Sequence, residues 1–312
     1  MSRSLAFQRS EKEKEFCRAC IPVCEREYPE LLEEIRGIAD GQNMEMEELA
    51  AFILGIYVFA PSSHCTCIAF RRDGQTVFGR NSDFLTALEP YYDSCFYRLE
   101  GGYPFIGNTT ALVQMEDGVN RHGLAAGLTF VCPTVAKPGL NAGILVRYAL
   151  EKCRTVKEAL ASLERLTISS SQTITLADSG GDMAVVECNA KDFVVMRPGP
   201  GENFVAAVNE FHSPRMEQYR FEAEDDFHSA ERYRVARTAL KEKQGGDPLA
   251  FAKDLLSGKF GFMCQYDREK GADTVWSSIY LLNGQKSFRC EGNPSRSPYK
   301  EDFRLEFEHF CG

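Results

Sequence analysis

The chain changes character at residue 64. Before that point its apolar residues recur at helical spacing; after it they fall into short β-like runs that begin with Cys65-Thr66-Cys67. Pro61-Ser62-Ser63 separates the two textures, because proline restricts both itself and its predecessor and ends helical structure. A chain built this way joins a small helical unit, residues 1–64, to a strand-rich unit, residues 65–312, with a thiol at the joint.

The first part reads as three helices. Residues 11–27 form a charged helix. Pro29 suits a first turn, and Leu31, Leu32, Ile35 and Ile38 give one apolar face. Asp40-Gly41 is the expected stop. Met44 to Tyr57 repeats the pattern through Met46, Leu49, Ala50, Ile53 and Leu54.

Beyond the joint, residues 67–71 and 76–80 read as a hairpin around Asp73-Gly74. Further strands are expected at 95–99, 110–115, 124–130, 172–178, 182–188, 192–197, 204–208, 275–282, 286–290 and 303–309. Helix pairs interrupt them at 141–152 with 155–165, and at 229–242 with 248–256. Runs of strands broken by helix pairs predict layers of helix and antiparallel sheet rather than a βαβ repeat.

A formal charge of -9 disfavours nucleic acid or an anionic membrane as partner. Residues 1–64 hold 12 acids against 7 bases, so more than half of that excess lies there. No run approaches the eighteen apolar residues of a membrane span, and the N-terminus has no apolar signal-peptide core. Twelve cysteines without an export signal are expected to be reduced thiols in the cytoplasm. Cys17, Cys20 and Cys24 lack a closely spaced second pair, so no metal is expected there, and no cofactor motif is present.

Cys65 is followed one hairpin later by Gly79-Arg80-Asn81-Ser82-Asp83. A cysteine needs its thiolate to act as a nucleophile. None of the five histidines lies in a familiar Cys-His motif. A backbone cut at His64-Cys65 would instead free an α-amine to serve as the base. Cys67 lies on the same strand face as Cys65 and competes with it. Arg80 and Asp83 read either as a simple pair at a strand end or as groups that balance charge and hold a terminal amine. Asn209 ends an apolar strand, as a turn former or as an oxyanion donor. Phe84, Phe130 and Phe211 flank these motifs and suit either the core or an apolar acyl pocket.

Together these segments resemble the linear-amide C–N hydrolases, the group of choloylglycine hydrolases, penicillin V acylase and the acyl-coenzyme A:6-aminopenicillanate acyltransferases. Cys65-Thr66 with Gly79-Arg80-Asn81-Ser82-Asp83-Phe84 resembles the start of the mature enzymes. Asp117-Gly118-Val119-Asn120 with Gly123-Leu124 resembles an internal motif, and Gly127-Leu128-Thr129-Phe130 follows it. Val208-Asn209-Glu210-Phe211, Ser229-Ala230-Glu231-Arg232-Tyr233 and Thr274-Val275-Trp276-Ser277-Ser278 resemble later family segments in the same order. Bile salt hydrolases carry Asn where this chain has Thr129, a change that leaves a backbone donor in place. Residues 28–41 resemble the pro-segment of the acyltransferase branch, although His64 stands where that branch carries Gly.

The resemblance implies a four-layer αββα Ntn-hydrolase sandwich, preceded by a helical pro-segment that is cut off autocatalytically before Cys65. It implies Cys65 as nucleophile, Asp83 orienting its α-amine, Arg80 tuning the thiolate, Asn209 and the Thr129 backbone as oxyanion donors, and Arg232 as a second active-site arginine. The expected substrate is a small linear amide with an apolar acyl group. The alternatives are acyl transfer from acyl-CoA and an uncut, inactive binding protein. The pro-segment is expected to stay bound after the cut, and a homo-oligomer is left open.

Overall fold

The computed structural model describes residues 10–59, 64–110, 112–221, 227–243 and 245–305. Three helices open the chain: α1 (Glu11–Glu27), α2 (Pro29–Gln42) and α3 (Met46–Gly55). Ser10 and Glu13 form a reciprocal capping box at the start of α1. Pro29 occupies the first turn of α2, as expected. Asp40-Gly41 does not stop that helix. It ends instead at Asn43, which turns left-handed (φ 52°) and donates its N–H to Ala39 and Asp40 carbonyls. α3 is shorter than the periodicity suggests, and Tyr57 beyond it is left-handed with φ 63°.

β1 (His64–Arg72) and β2 (Gln75–Leu85) form a long hairpin. Asp73 and Gly74 both have positive φ, as a two-residue hairpin turn of this hand requires. With β10 (Phe204–Ala207), β11 (Ala272–Leu281), β12 (Lys286–Glu291) and β13 (Lys300–Asp302) they make an antiparallel sheet. Among the described residues its order is β10-β1-β2-β11-β12-β13. The second sheet runs in sequence order through β3 (Asp93–Tyr97), β4 (Phe105–Thr109), β5 (Asp117–Asn120), β6 (Ala125–Phe130), β7 (Gln172–Ala177), β8 (Met183–Cys188) and β9 (Phe193–Met196).

Helices α4 (Ala142–Lys152) and α5 (Val156–Leu163) cover the outer face of the second sheet. Helices α6 (Ser229–Glu242) and α7 (Pro248–Leu256) cover the outer face of the first. Between the sheets lies a third apolar layer that includes Cys67, Ala69, Phe78, Ile106, Val119, Ala125 and Val185. The molecule is thus an αββα sandwich. The two-residue period of a strand decides what faces where. Ile68 and Phe70 meet α6 and α7, whereas Cys67 and Ala69 meet the other sheet. By the same alternation Cys65 and Arg80 face the gap between the sheets, and Thr66 and Asp83 face the helices.

Two strand expectations differ from the structure where it describes them. Residues 110 and 112–115 are not strand. Leu112 is left-handed (φ 59°), the buried Gln114 side chain donates to the Ile53 carbonyl, and Val113 and Met115 reach the core without a ladder. The last strand among the described residues is Lys300–Asp302; of the strand expected at 303–309, residues 303–305 are not strand and 306–309 lie outside the described residues.

The N-terminal helices share one apolar core with α4, α5 and the second sheet. Polar contacts reinforce it: Tyr28 donates to Glu151 at 2.5 Å, and Arg147 of α4 pairs with Glu34 of α2. Ile53 is fully buried in that core. Ile53→Ala should therefore destabilise the uncut chain by about 2–5 kcal/mol. Urea denaturation of a full-length Cys65→Ala protein should show this as a shift of a single transition. Two separate transitions would show that the N-terminal helices fold on their own.

Candidate active site

Cys65 is the second residue of β1 and has no exposed surface. Its N–H donates to Asn209 Oδ1 at 2.9 Å, and its carbonyl accepts from Arg232 Nη1 at 2.7 Å. Its thiol accepts from Arg80 Nη2 at 2.7 Å. Burial pushes that thiol far above the ordinary cysteine range, with Arg80 opposing and Glu116 reinforcing the rise. Cys67 is equally buried and is pushed up to about 12, chiefly by burial; its Sγ lies 3.8 Å from the Leu128 carbonyl.

Arg80 is fully buried in β2. Its Nε donates to Leu128 O at 3.0 Å, its Nη1 pairs with Asp117 at 3.1 Å, and its Nη2 pairs with Glu116 at 3.1 Å. Burial pulls its pKa down, but Cys65, Glu116 and Asp117 together push it up further, so the guanidinium stays charged. Gly127 makes room for it: a Cβ there would come within 2.7 Å of the Phe78 ring and 3.3 Å of Arg80 Cδ.

Asp83 lies on the opposite face of β2. It accepts from Thr274 Oγ1 at 2.5 Å and Tyr266 OH at 3.0 Å, and lies 3.7 Å from Arg232 Nη1. The simple Arg80–Asp83 pair is therefore not formed; alternation along the strand sends the two side chains to different layers. Burial raises the Asp83 carboxyl to about 6, against the opposing pull of Arg232, Thr274 and Tyr266. A bulge in β11 serves both layers. Thr274 pairs with Asp83 and Trp276 with Ser82, so the extra residue Val275 puts Thr274 and Trp276 on opposite faces. Trp276 Nε1 accordingly donates to Asp117 at 3.0 Å.

Asn209 follows β10. Its Nδ2 donates to Phe130 O at 3.0 Å, and its Oδ1 accepts from Arg232 Nη2 at 2.9 Å as well as from Cys65 N. Thr129 Oγ1 donates to Val208 O at 2.6 Å, which ties the end of β6 to the residue before Asn209. Arg232, on α6, also donates to Thr66 Oγ1 at 2.7 Å and to Phe227 O at 2.8 Å. The His64 ring stacks on Phe227 with centroids 3.7 Å apart.

Hydrogen bonds thus connect Cys65, Arg80, Asn209 and Arg232, and bring Thr129 and Asp83 against them. His122, His212 and His228 engage Tyr103, Tyr233 and Phe262 instead. The three phenylalanines separate: Phe84 packs with Val275 and Trp276, Phe211 with Val131 and Met216, and Phe130 in the larger core near Tyr57. Asn120 of the internal motif is architectural, bonding the Leu150 and Cys153 carbonyls and the His122 and Leu124 amides. Sequence reading missed Glu116, Tyr57 and Tyr266. Glu116 had a signal, as the first of two adjacent acids in an otherwise apolar stretch; Tyr57 and Tyr266 had none.

Residues 70–296 match the acyl-coenzyme A:6-aminopenicillanic acid acyl-transferase family. Penicillin V acylase from Pectobacterium atrosepticum is 31% identical over 117 residues, a match spanning 28% of this chain and 31% of that protein. Three of the solved structures that share the fold illustrate the likeness. Penicillin V acylase from Agrobacterium tumefaciens has a TM-score of 0.54 at 16% identity, covering 73% of this chain and 82% of that one. The N-acylethanolamine-hydrolyzing acid amidase ortholog of Caenorhabditis elegans has 0.53 at 18%, covering 70% and 93%. A variant of conjugated bile acid hydrolase from Clostridium perfringens has 0.56 at 14%, covering 76% and 92%. Because the family match covers well over half of the chain, from the end of β1 through β12 and including α4 to α7, the chain belongs to the acyl-coenzyme A:6-aminopenicillanic acid acyl-transferase family.

Proposed function

We propose that this protein is the precursor of an N-terminal-cysteine amidohydrolase that cleaves small linear amides with an apolar acyl group. The observation that carries the reading is the setting of Cys65. Its thiol meets a buried guanidinium, and its own nitrogen is held by a side-chain amide, with no histidine among its hydrogen-bond partners described above. A thiol with no exposed surface and a strongly raised pKa is closed to substrate. This suits a latent state that a cut at His64-Cys65 relieves.

In the first stage the Cys65 thiol adds to the His64 carbonyl carbon. A C–S bond forms, the C–N bond breaks, and the thiol proton passes to the leaving nitrogen. Water hydrolyses the thioester, leaving a His64 carboxylate and a free Cys65 amine. That amine, with an ordinary pKa of about 7.7–8.0, can take the thiol proton near neutral pH. In the second stage the thiolate attacks the substrate carbonyl. Asn209 Nδ2, turned from the Phe130 carbonyl, and the Thr129 N–H receive the oxyanion. The α-ammonium returns its proton to the departing amine, and water resolves the acyl-enzyme.

Arg80 stabilises the thiolate by charge. Asp83, on the strand residue paired with His64, orients the new amine. Arg232 fixes the Cys65 carbonyl and Asn209, and offers charge to a substrate carboxylate. The second reading is acyl transfer from acyl-CoA to an amine, which the family match favours. Both readings share the thioester. We place the protein in the cytoplasm, consistent with the absence of disulfides among the described residues. Among those residues no helix is long and apolar enough to cross a membrane.

Intact mass of freshly purified protein should show two pieces meeting at His64-Cys65, and Cys65→Ala should stay full length and inactive. A single uncut species that turns over amides would remove the α-amine from the mechanism. A panel of N-acyl amino acids, penicillin V, conjugated bile salts and 6-aminopenicillanate with acyl-CoA separates the readings. Free amine without new amide supports hydrolysis, and efficient amide synthesis supports transfer.

Asn209→Ala in the cut enzyme should slow acylation by the equivalent of about 2.7–4 kcal/mol while substrate affinity changes little. Single-turnover kinetics reads this directly. Loss of affinity at an unchanged acylation rate would assign Asn209 to binding.

Asp83 gives a pH signature. Its folded pKa of about 6 lies above the reference value of 3.8, so the folded chain holds the proton more tightly and stability falls as pH rises between these values. At 1.36 kcal/mol per unit the loss is about 3 kcal/mol. The stability advantage of Cys65→Ala/Asp83→Asn over Cys65→Ala should therefore grow by about that amount from pH 4 to pH 6 and then level off. Urea denaturation across this range checks the trend; a flat difference would contradict it.

A further inference from the structure

Tyr57 reaches into the site from the far side of the cut. It follows α3, eight residues before Cys65, and is buried. Its hydroxyl donates to Glu116 Oε1 at 3.2 Å. The other oxygen of that carboxylate pairs with Arg80 Nη2, which touches the Cys65 thiol. The tyrosine ring therefore lies two side chains from the nucleophile. Burial, then the Glu116 charge, holds its phenol well above the ordinary tyrosine range, so it remains a donor.

The seat of this ring is shaped for something flat. Gly143 opens one wall: a Cβ there would come within 2.6 Å of Gln114 Oε1 and 3.0 Å of Tyr57 Cε2. Phe130 forms another, with centroids 6.4 Å apart. At the end of the seat stands Glu116, with 1% of its side chain exposed, also held by Thr110 and Ser82 hydroxyls. A slot walled by a glycine and a phenylalanine ring that ends in a buried carboxylate is unusual for a simple acyl pocket. Glu116 Oε1 accepts from both Tyr57 and Thr110, so withdrawal of Tyr57 removes one of its two donors, and a buried carboxylate that loses a donor is penalised in a low-dielectric site.

We propose that Tyr57 occupies the acyl pocket of the mature enzyme as a stand-in for substrate, and that Glu116 selects acyl groups whose flat apolar body ends in a hydrogen-bond donor. The 4-hydroxyphenylacetyl group has this form. When the segment after α3 withdraws, the substrate hydroxyl takes over the hydrogen bond that Tyr57 makes. The substrate part of this proposal rests on the reading of Cys65 as the acyl-carrying residue. The pocket part does not, because the seat exists in the uncut chain.

Two experiments separate these parts. In full-length Cys65→Ala/Tyr57→Ala protein, p-cresol should raise Tm with concentration, as a ligand specific to the folded state does. Toluene should raise it much less, and Cys65→Ala with Tyr57 intact should respond to neither. A folded Tyr57→Ala chain that ignores p-cresol, or that binds toluene as well, overturns the pocket. In cut wild-type enzyme, the 4-hydroxyphenylacetyl amide should exceed its phenylacetyl and 4-methoxyphenylacetyl counterparts in kcat/KM by at least about tenfold, since a site built around a hydrogen bond rejects analogues that lack it. Equal turnover of the three overturns the selectivity and leaves the Cys65 reading intact. This series needs no variant, so it decides the selectivity even when Tyr57→Ala fails to fold. A chain that stays uncut and turns nothing over counts against the Cys65 reading, and the p-cresol response then decides the pocket alone.

Discussion

A guanidinium without solvent must be surrounded by groups that replace water, and much of this structure is arranged around Arg80. Two carboxylates, a carbonyl and a thiol meet it. Removing one partner of a buried ion pair is far more damaging than replacing the whole set with apolar groups. The set also spans four strands: β1 brings Cys65, β2 Arg80, β5 Asp117 and β6 the Leu128 carbonyl. The two sheets can satisfy it only in one register. A slip by one residue in β2 would send Arg80 to the helix layer and Asp83 to the gap. The site and the register of the sandwich are therefore one constraint.

Asp117 extends the constraint outward. It accepts from Arg80 of β2, from Trp276 and Tyr280 of β11 and from Asn108 of β4, so both central strands of the first sheet are tied to the second sheet through one carboxylate. The β11 bulge is the local device that makes this compatible with Asp83. Were Val275 paired as an ordinary strand residue, Thr274 and Trp276 would share a face, and one of the two carboxylates would lose one of its donors. A buried polar set of this size holds together because nearly every oxygen has a named donor.

Local signals are legible in the sequence because they act locally. Asp73-Gly74 marks its hairpin through positive φ, and α6 and α7 begin and end where their periodicity begins and ends. α2 runs past Gly41 because that glycine merely permits a left-handed turn, whereas Asn43 adopts it. Residues 110–115 have the apolar texture of a strand. What they lack is a free ladder position, and that depends on Gln114 finding the Ile53 carbonyl 61 residues away. In the site, Cys65, Arg80, Asp83, Asn209 and Arg232 stood out because they sit in recognisable segments. Glu116 and Tyr57 did not, because their meaning lies in a contact spanning 59 residues that no spacing encodes.

That contact also bears on the proposed cut and on how its pieces would open. A cut at residue 64 breaks no contact within the core shared by α1, α2 and α3, where Leu31, Ile35, Ile53 and Leu54 are fully buried. Complete release would expose all of that surface, at roughly 1.5–3 kcal/mol per large side chain. Local release is far easier. The helix is over by Gly55, Tyr57 is left-handed at φ 63°, and Phe59 is already 38% exposed. Freeing Tyr57 gives up a charge-assisted hydrogen bond of about 1.5–3 kcal/mol and the burial of one ring, and relieves about 1–2 kcal/mol of left-handed strain. A substrate that restores both the ring and the hydrogen bond offsets most of the remainder. Withdrawal of a few residues past α3, with the helices left in place, is therefore the opening that the energetics favour.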